Sequence, residues 1–324
     1  MSEWTPRAPL NVARGGLTDA VLDGRIYAIG GFTTGFAEEL DTVETYDARH
    51  DRWRLTPPMP TARGNSAAAG ARGHVYVFGG FIAGKTIDTV EAFDPRTQRW
   101  DARRPLPGPR GAPSAAAISE RIYLVGGFDV DDVNTNEVNV YDPRHDTWRD
   151  VRPMATKRGL LKVAVVADRL YAIGGRADSG EFLRTVERYD PRHDTWQTVA
   201  PMHTGRGNPA VAVAGGRIFA VGGASPDGPL RTTEVYDPEA DRWRPLDVLL
   251  PVGRASFSAA TLSGRRGHGA GHDVDHDADR DHRDDHDRDR NDRDEAIIAF
   301  GGFQATAGQP EASAVVESLR VHRR

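Results

Sequence analysis

The fragment IYAIGG, at residues 26–31, is a short apolar run closed by two glycines. The same pattern returns five times, each time as an apolar run before a glycine doublet. The later copies are VYVFGG (75–80), IYLVGG (122–127), LYAIGG (170–175), IFAVGG (218–223) and IIAFGG (297–302). The first four intervals between copies measure 47 to 49 residues, and the fifth measures 79. A period of this length indicates a repeat architecture built from identical supersecondary units.

The rest of each unit repeats as well. Each doublet is followed by an alternating segment such as TVETYD (42–47), then by a tryptophan, a proline-rich link and an arginine. We therefore predict four short strands per unit, with turn-forming residues between them. Strand A follows the arginine, strand B is the apolar run, strand C is the alternating segment and strand D carries the tryptophan. Helical periodicity is almost absent, which predicts an all-β chain.

The glycine doublet, the Tyr-Asp pair and the tryptophan, at these spacings, resemble the Kelch repeat over essentially the whole chain. The resemblance implies a single six-bladed β-propeller over residues 1–324, with four-stranded antiparallel blades. Because the repeats occupy the whole sequence, we expect a stand-alone Kelch propeller without a BTB domain. The expected blade units are about 11–57, 58–104, 105–152, 153–200, 201–247 and 248–324, with a further strand in 1–10.

The two ends of the chain complement each other. The last unit stops without a tryptophan, whereas EWTPRAPLNVAR (3–14) resembles RWRLTPPMPTAR (52–63), a strand D with its link. We therefore expect the N-terminal strand, which carries Trp4, to form the outermost strand of the sixth blade. Such a closure leaves no open edge between the first and last blades.

Composition excludes several classes of function. The net charge of −5 gives no global basic field for nucleic acid. No apolar run is long enough to span a membrane, and the N-terminus lacks the apolar region of a secretory signal. The absence of cysteine excludes thiolate metal sites and cysteine nucleophiles. We expect a soluble cytoplasmic monomer that needs no cofactor.

The long fifth interval contains an insertion between strands A and B of the sixth blade, at residues 264–295. It holds five histidines, eleven aspartates and seven arginines, with almost no apolar residue. Such a segment cannot bury a core, so we predict a disordered, solvated low-complexity loop. Metal binding is the weaker alternative, since the segment lacks the glycine and final glutamate of a calcium loop. The candidate ligands are His268, His272, His276, His282 and His286.

Residues shared by all six copies are expected to hold the scaffold. The shared arginines are Arg14, Arg63, Arg110, Arg158, Arg206 and Arg254. Strand C offers five carboxylates and one amide as their partners: Glu44, Glu91, Glu187, Glu234, Glu317 and Asn139. We favour ion pairs, because a buried arginine needs such a partner. The alternative is a ring of cations that binds an anion at one mouth of the channel.

Positions at which the copies differ are better candidates for function. Lys162 and Asp19 are the only charged residues at the variable positions of the inner strands, and Arg176 takes a place that is phenylalanine in four units. Four phenylalanines near one mouth would form an aromatic rim suited to protein or sugar contacts; the alternative is that they cap the blades. The predicted partner-binding residues are Asn65, Leu160, Lys162, Asn208, Arg176, Phe32, Phe81, Phe128 and Phe303.

The resemblance implies two functions. We favour a non-catalytic module that binds a protein through the loops joining strands D to A and B to C. The alternative is a sugar-active enzyme, such as the sialic-acid mutarotases of this fold, with a small carbohydrate ligand. Lys162, Asp19 and the arginines would then supply acid–base groups. The copper radical oxidases of the fold are excluded because they require cysteine, and no catalytic residue is assigned.

Overall fold

In a computed structural model, the described residues are 3–263, 295–305 and 310–321. They form six four-stranded antiparallel sheets and no α-helix, as the resemblance implied. Strands A are Thr18–Leu22, Ala67–Ala71, Ser114–Ile118, Lys162–Val166, Ala210–Ala214 and Ser258–Ser263. Strands B are Arg25–Ile29, His74–Phe78, Arg121–Val125, Arg169–Ile173, Arg217–Val221 and Glu295–Phe300.

The outer half of each sheet consists of strands C and D. Strands C are Val43–Asp47, Val90–Asp94, Val138–Asp142, Val186–Asp190, Thr233–Asp237 and Val316–Val321. Strands D are Arg52–Leu55, Arg99–Arg103, Thr147–Val151, Thr195–Val199, Arg242–Pro245 and, for the sixth sheet, Thr5–Arg7. The loops contain the shorter strands Phe81–Ile82, Lys85–Thr86, Ala224–Ser225, Gly228–Pro229, Arg254–Ala255, Phe303–Ala305 and Pro310–Ala312, and one 3₁₀ turn, Thr34–Phe36.

The sheets are arranged as blades around an axis. Each strand A contacts the strands A of the preceding and following blades, and that of the sixth blade contacts that of the first. The outermost strand of the sixth blade comes from the N-terminus, where Thr5 pairs with Ser318 and Arg7 with Val316. The predicted closure by the strand that follows Trp4 is therefore confirmed. No helix among the described residues is long and apolar enough to cross a membrane.

The repeated apolar run is the buried middle of each blade. In the first blade Ile26, Tyr27, Ala28 and Ile29 are at most 2% exposed. Both faces of strand B are covered by neighbouring blades, so the sequence reads as a continuous apolar run rather than an alternating one. The following Gly30 has φ of 57°, and a Cβ there would lie 2.5 Å from a backbone oxygen of the next blade. Only glycine fits this turn.

A tyrosine–aspartate pair ties four of the blades to the link that precedes them. Tyr46 Oη donates to Asp51 Oδ1 over 2.6 Å, and the same oxygen accepts the backbone N–H of Ala8. The equivalent pairs are Tyr141–Asp146, Tyr189–Asp194 and Tyr236–Asp241. The second blade carries Phe93 and Gln98 at these positions. The hydroxyl donor and its acceptor are therefore lost together, which leaves no buried polar group unpaired.

The blades also interlock through a phenylalanine after the doublet and a glycine of the next blade. A Cβ added to Gly64 would lie 2.0 Å from the ring of Phe32. The same contact joins Phe81 to Gly111, Phe128 to Gly159 and Phe303 to Gly15. In the fifth blade Ala224 replaces the phenylalanine. In the sixth blade Ala255 replaces the glycine that would face it. Ring and glycine thus change together, because the ring fills the space that a Cβ would need.

We therefore expect Gly64→Ala to destabilise the fold by about 1–3 kcal/mol, the usual cost of overpacking a close-packed site. Denaturant unfolding measures the change. In the double variant with Phe32→Ala the two effects should not add, because the missing ring makes room for the new methyl group. Simple additivity would show that the two residues do not share this contact.

The predicted insertion lies almost wholly outside the described residues. Only Glu295, its expected last residue, is described, and it belongs to strand B of the sixth blade, where it pairs with Ser263. The strand thus begins one residue earlier than predicted. The disordered loop and the metal ligands proposed for His268, His272, His276, His282 and His286 remain predictions.

Candidate functional site

The six shared arginines form a buried ring of ion pairs around one mouth of the channel. None of them is more than 3% exposed. Arg63 Nη2 lies 2.6 Å from Glu91 Oε2, and Arg206 Nη2 lies 2.6 Å from Glu234 Oε1. Arg14, Arg158 and Arg254 pair in the same way with Glu44, Glu187 and Glu317. The guanidinium groups also donate to backbone carbonyls, as Arg158 does to Gly174.

The sixth arginine has a different partner from the expected one. Arg110 pairs with Glu137, and its contact with Asn139 is longer, at 3.4 Å. Asn139 instead donates to Asp150. Glu137 lies two residues before Asn139, and side chains two apart project from the same face of a strand. Every arginine of the ring is therefore neutralised by a carboxylate, which argues against the anion-binding alternative.

The carboxylates also fasten the D–A links. Glu234 accepts hydrogen bonds from the backbone N–H groups of His203 and Thr204, and it also forms an ion pair with Arg206. Burial raises the pKa of Glu234, but these donors outweigh it and the pKa is lowered overall. For Glu317, burial exceeds the effect of Arg254, and the pKa is raised. The ion pairs thus position the loops that surround the mouth.

A closed ring of backbone hydrogen bonds lies at the same mouth. Six residues, each two positions past a ring arginine, donate one N–H to the carbonyl of the equivalent residue in the preceding blade, over 2.6 to 3.3 Å. All six have left-handed φ angles between 42° and 63°. These residues are Gly16, Asn65, Ala112, Leu160, Asn208 and Ser256.

The ring of backbone hydrogen bonds brings together three predicted site residues, but their side chains are half-buried or buried. Asn65 and Leu160 are half-buried. Asn208 is only 7% exposed, and its amide donates to Ser256 Oγ over 3.0 Å. Asparagine tolerates left-handed backbone better than most residues, so Asn65 and Asn208 have a structural explanation. A contact between Asn208 and a partner stays a prediction, and in this structure its side chain is buried and paired.

Lys162 lies deeper than predicted. It begins strand A of the fourth blade and faces the axial channel, half-buried, rather than the rim. Asp19, from the first blade, faces the same channel. Together they belong to a cavity of about 80 Å³ lined by strands A and the residues just before them in all six blades. A binding role of Lys162 stays a prediction, and the structure places this residue on the wall of the channel rather than on the rim.

The four phenylalanines proposed for an aromatic rim are buried or half-buried. Phe32 and Phe303 are 5% and 4% exposed, because each packs on the glycine of the following blade. Phe81 and Phe128 are half-buried in the equivalent contact. Arg176 is exposed on its loop, where Nε lies 3.5 Å from the carbonyl of Gly180. In that blade Phe182 packs on Gly207 in place of the missing ring.

The exposed aromatic residue of this face is one that the sequence analysis did not select. Phe36 is 47% exposed and has φ of 58°, a conformation that is strained for a bulky side chain. Its ring centroid lies 4.4 Å from that of Phe303 and 5.3 Å from that of Phe32. The sequence marks Phe36 only by its place in the first B–C loop. The other repeats have no phenylalanine at the equivalent position.

The B–C loops and D–A links carry most of the exposed apolar surface. Eight large hydrophobic side chains are exposed among the described residues, and six of them lie on these segments: Phe36, Val130, Val133, Leu249, Val252 and Val315. The described parts of the B–C loops contain twelve acidic and four basic residues. We call this surface the loop face.

A larger groove, of about 1220 Å³, lies between the first and sixth blades on the side of the A–B and C–D turns. Its lining includes Asp47, Arg49 and His50, and His50 Nδ1 lies 2.8 Å from Asp47 Oδ2. The same Asp–His contact recurs at Asp142–His145 and Asp190–His193. Because the turn is repeated, we read these residues as scaffold rather than as a site.

Comparison with known proteins supports this description. The KLHDC2/KLHL20/DRC7 Kelch-repeats domain model matches residues 2–160, and the Kelch motif model matches 157–203 and 205–247. Kelch domain-containing protein 7A of Mus musculus is 46% identical over 54 residues, which are 17% of this chain and 6% of that protein. The solved "Structure of YjhT" superposes with a TM-score of 0.72 at 15% identity, over 94% of this chain and 95% of that one. At that identity the likeness concerns the fold alone. The chain belongs to the Kelch-repeat family.

Proposed function

We propose that the chain is a non-catalytic interaction module that binds a protein partner with its loop face. The observation that carries this proposal is the distribution of exposed apolar side chains, six of eight of which lie on that face. Exposed apolar groups that cluster on one side of a protein are typical of an interaction surface. Arg176 and the half-buried Phe81 and Phe128 contribute to the same surface, and Asn65 and Leu160 border it.

Charge specifies the kind of partner. The B–C loops have an excess of eight negative charges in their described residues, and most basic residues of the adjoining D–A links are the six ring arginines, which their own carboxylates neutralise. The B–C loop of the third blade combines negative charge with exposed apolar side chains, because Asp131 and Asp132 lie between the exposed Val130 and Val133. We therefore expect a partner surface that is basic with apolar residues between the charges. Such complementarity accelerates association and weakens with added salt.

Phe36 is the expected anchor of the complex. Aromatic side chains that enter a pocket of the partner carry a large share of the binding energy in many interfaces. Phe36 is held in place by Phe32 and Phe303 beneath it, and Ala312 N–H donates to Thr34 Oγ1 of the same turn. Little conformational freedom remains to be lost on binding, which favours affinity.

The sugar-active alternative has weaker support. Lys162 and Asp19 are the acid–base groups that it would use, but the cavity between them has a volume of only about 80 Å³. Pockets for small molecules usually measure about 300–1,000 Å³. The small volume at this level of the channel therefore supports the interaction module over the sugar-active enzyme.

The test compares three proteins as immobilised baits in an extract of the source cells: the parent, the double variant Phe36→Ala/Val130→Ser, and the control Val21→Ser. Val21 is 40% exposed and lies at the A–B turn end of strand A, on the side opposite the loop face. We expect a protein with a basic surface to be retained by the parent and the control, to be reduced at least tenfold on the double variant, and to dissociate in high salt. Equal capture by all three proteins would refute the loop face as the binding surface.

A further inference from the structure

The axial channel contains one opposed pair of charges that the scaffold does not require. Lys162 and Asp19 come from the fourth and first blades, which are three blades apart in the ring of six. In the other blades the position of Lys162 is Thr18, Ala67, Ser114, Ala210 or Ser258, and that of Asp19 is Ala68, Ala115, Val163, Val211 or Ala259. Small or aliphatic residues thus satisfy the architecture at both positions.

Lys162 and Asp19 line the same cavity and attract each other, but they are too far apart to form a salt bridge. Within the described residues, neither forms a salt bridge, nor a hydrogen bond of standard geometry. Ser258 lines the same cavity and is 1% exposed, and its hydroxyl has no hydrogen-bond partner of good geometry. It does lie close enough to Asp19 to lower the pKa of that carboxyl. Buried polar groups in native proteins normally have partners, so the cavity contains three groups that a ligand would satisfy.

Burial penalises the charged form of both groups. It raises the pKa of Asp19 above 3.8 despite Lys162, and lowers the pKa of Lys162 below 10.5 despite Asp19. Stability therefore falls as the pH rises from 3.8 to the raised pKa of Asp19, and it also falls as the pH drops from 10.5 to the lowered pKa of Lys162. Both penalties apply near neutral pH. A costly pair that the repeat does not need is a candidate functional site.

We propose that the channel cavity formed by Lys162, Asp19 and Ser258 binds a small molecule that has no net charge but carries opposite charges at its two ends. Its anionic end would accept from Lys162, and its cationic end would donate to Asp19. A simple anion or cation alone would face a like charge on the opposite wall. This site is separate from the loop face and does not depend on the proposed function.

The volume of the cavity narrows the class of ligand further. Small-molecule pockets usually measure about 300–1,000 Å³, so a cavity of about 80 Å³ admits only a very small ligand between the two charged groups. Among zwitterions, an amino acid with no side chain has this size. We therefore take glycine as the probe, and betaine as its matched control, because betaine has the same charges but three added methyl groups and no N–H donor.

The test is saturation-transfer NMR on the intact protein at neutral pH, with glycine at millimolar concentration. We expect transfer to the glycine methylene protons in the parent protein and none to betaine. Lys162→Ala and Asp19→Ala should each reduce the glycine signal at least fivefold. Both variants should fold with a melting midpoint at or above that of the parent, because alanine occupies these positions in other blades, as Ala67 and Ala68 do.

Two results would overturn the proposal. One is the absence of transfer to glycine in the parent protein, which would mean that the pair holds water alone. The other is equal transfer to glycine and betaine, or equal transfer in the variants, which would mean non-specific contact elsewhere. The comparison of glycine with betaine on the parent protein decides the question even where a variant does not fold.

Discussion

Removal of residues 1–10 lowers the stability by about 5 kcal/mol or more, and we expect the truncated chain to be largely unfolded at 37 °C. The deleted segment supplies the outer strand of the sixth blade and two buried side chains, Trp4 at 7% and Leu10 at 3% exposed. Loss of one buried tryptophan or leucine costs about 2–5 kcal/mol. The free energy of unfolding of a folded protein is about 5–15 kcal/mol, so the truncation removes a large part of it.

The position of the two side chains explains why the effect is global. Trp4 packs into the apolar cluster of the fifth and sixth blades, beside Phe219 and Phe257. Leu10 packs into the cluster of the sixth and first blades, beside Ile26 and Phe300. The segment therefore spans the seam at which the ring closes. Without it the first and last blades are joined by fewer contacts, and the strand C of the sixth blade has an unpaired edge.

Thermal unfolding followed by circular dichroism measures the effect. The control is deletion of residues 1–3, which keeps Trp4 and the whole strand and should leave the curve unchanged. Addition of a synthetic peptide of residues 1–14 should partly restore the folded signal of the longer truncation, because strand and seam would be rebuilt by association. A truncated protein with the melting curve of the parent would contradict the closure.

The second large effect concerns the ring of arginines. Arg158→Met should destabilise the fold by about 3–5 kcal/mol, because it leaves Glu187 charged, 1% exposed and without its counter-ion. Methionine keeps most of the volume of the arginine side chain, so the change reports mainly on the lost charge. Denaturant unfolding at neutral pH is the measurement.

Arg110→Met provides a control at the same repeat position. Its partner Glu137 has a side chain that is 61% exposed, and water solvates that carboxylate when the arginine is gone. We expect a cost of about 1–2 kcal/mol, mainly from the lost hydrogen bonds. Equal costs for Arg110→Met and Arg158→Met would show that burial of the partner does not set the penalty. Little loss of stability in Arg158→Met would contradict the scaffold role of the ring.

The arginine ring also shows which ion pairs can be predicted from the repeated sequence alone. The pairs Arg14–Glu44 and Arg63–Glu91 follow from spacing alone, since each copy places the two residues at the same positions of one blade. The pair Arg110–Glu137 does not, because Asn139 occupies the expected position. The strand period of two would have indicated Glu137, which lies on the same face of the chain two residues earlier.

The phenylalanines show where sequence position ceases to be informative. Phe32 and Phe36 are four residues apart in one loop, and only the copy-to-copy comparison distinguished them, in favour of Phe32. In the structure Phe32 is buried against Gly64 of the next blade, and Phe36 is exposed above it. Exposure here depends on a glycine that is 32 positions further along the chain, and no local pattern contains that information.

The sequence by itself determined the six sheets, their strand order, the closing N-terminal strand and five of the six ion pairs of the ring arginines. These features depend on contacts within one repeat or on the repeated contact between neighbours, so six copies record them six times. Only the tertiary structure decided what meets across the axis and at the seams between blades. Lys162 and Asp19 share a cavity because closure of the ring brings the fourth and first blades face to face. That contact occurs once, between residues 143 positions apart, and only the closed ring creates it.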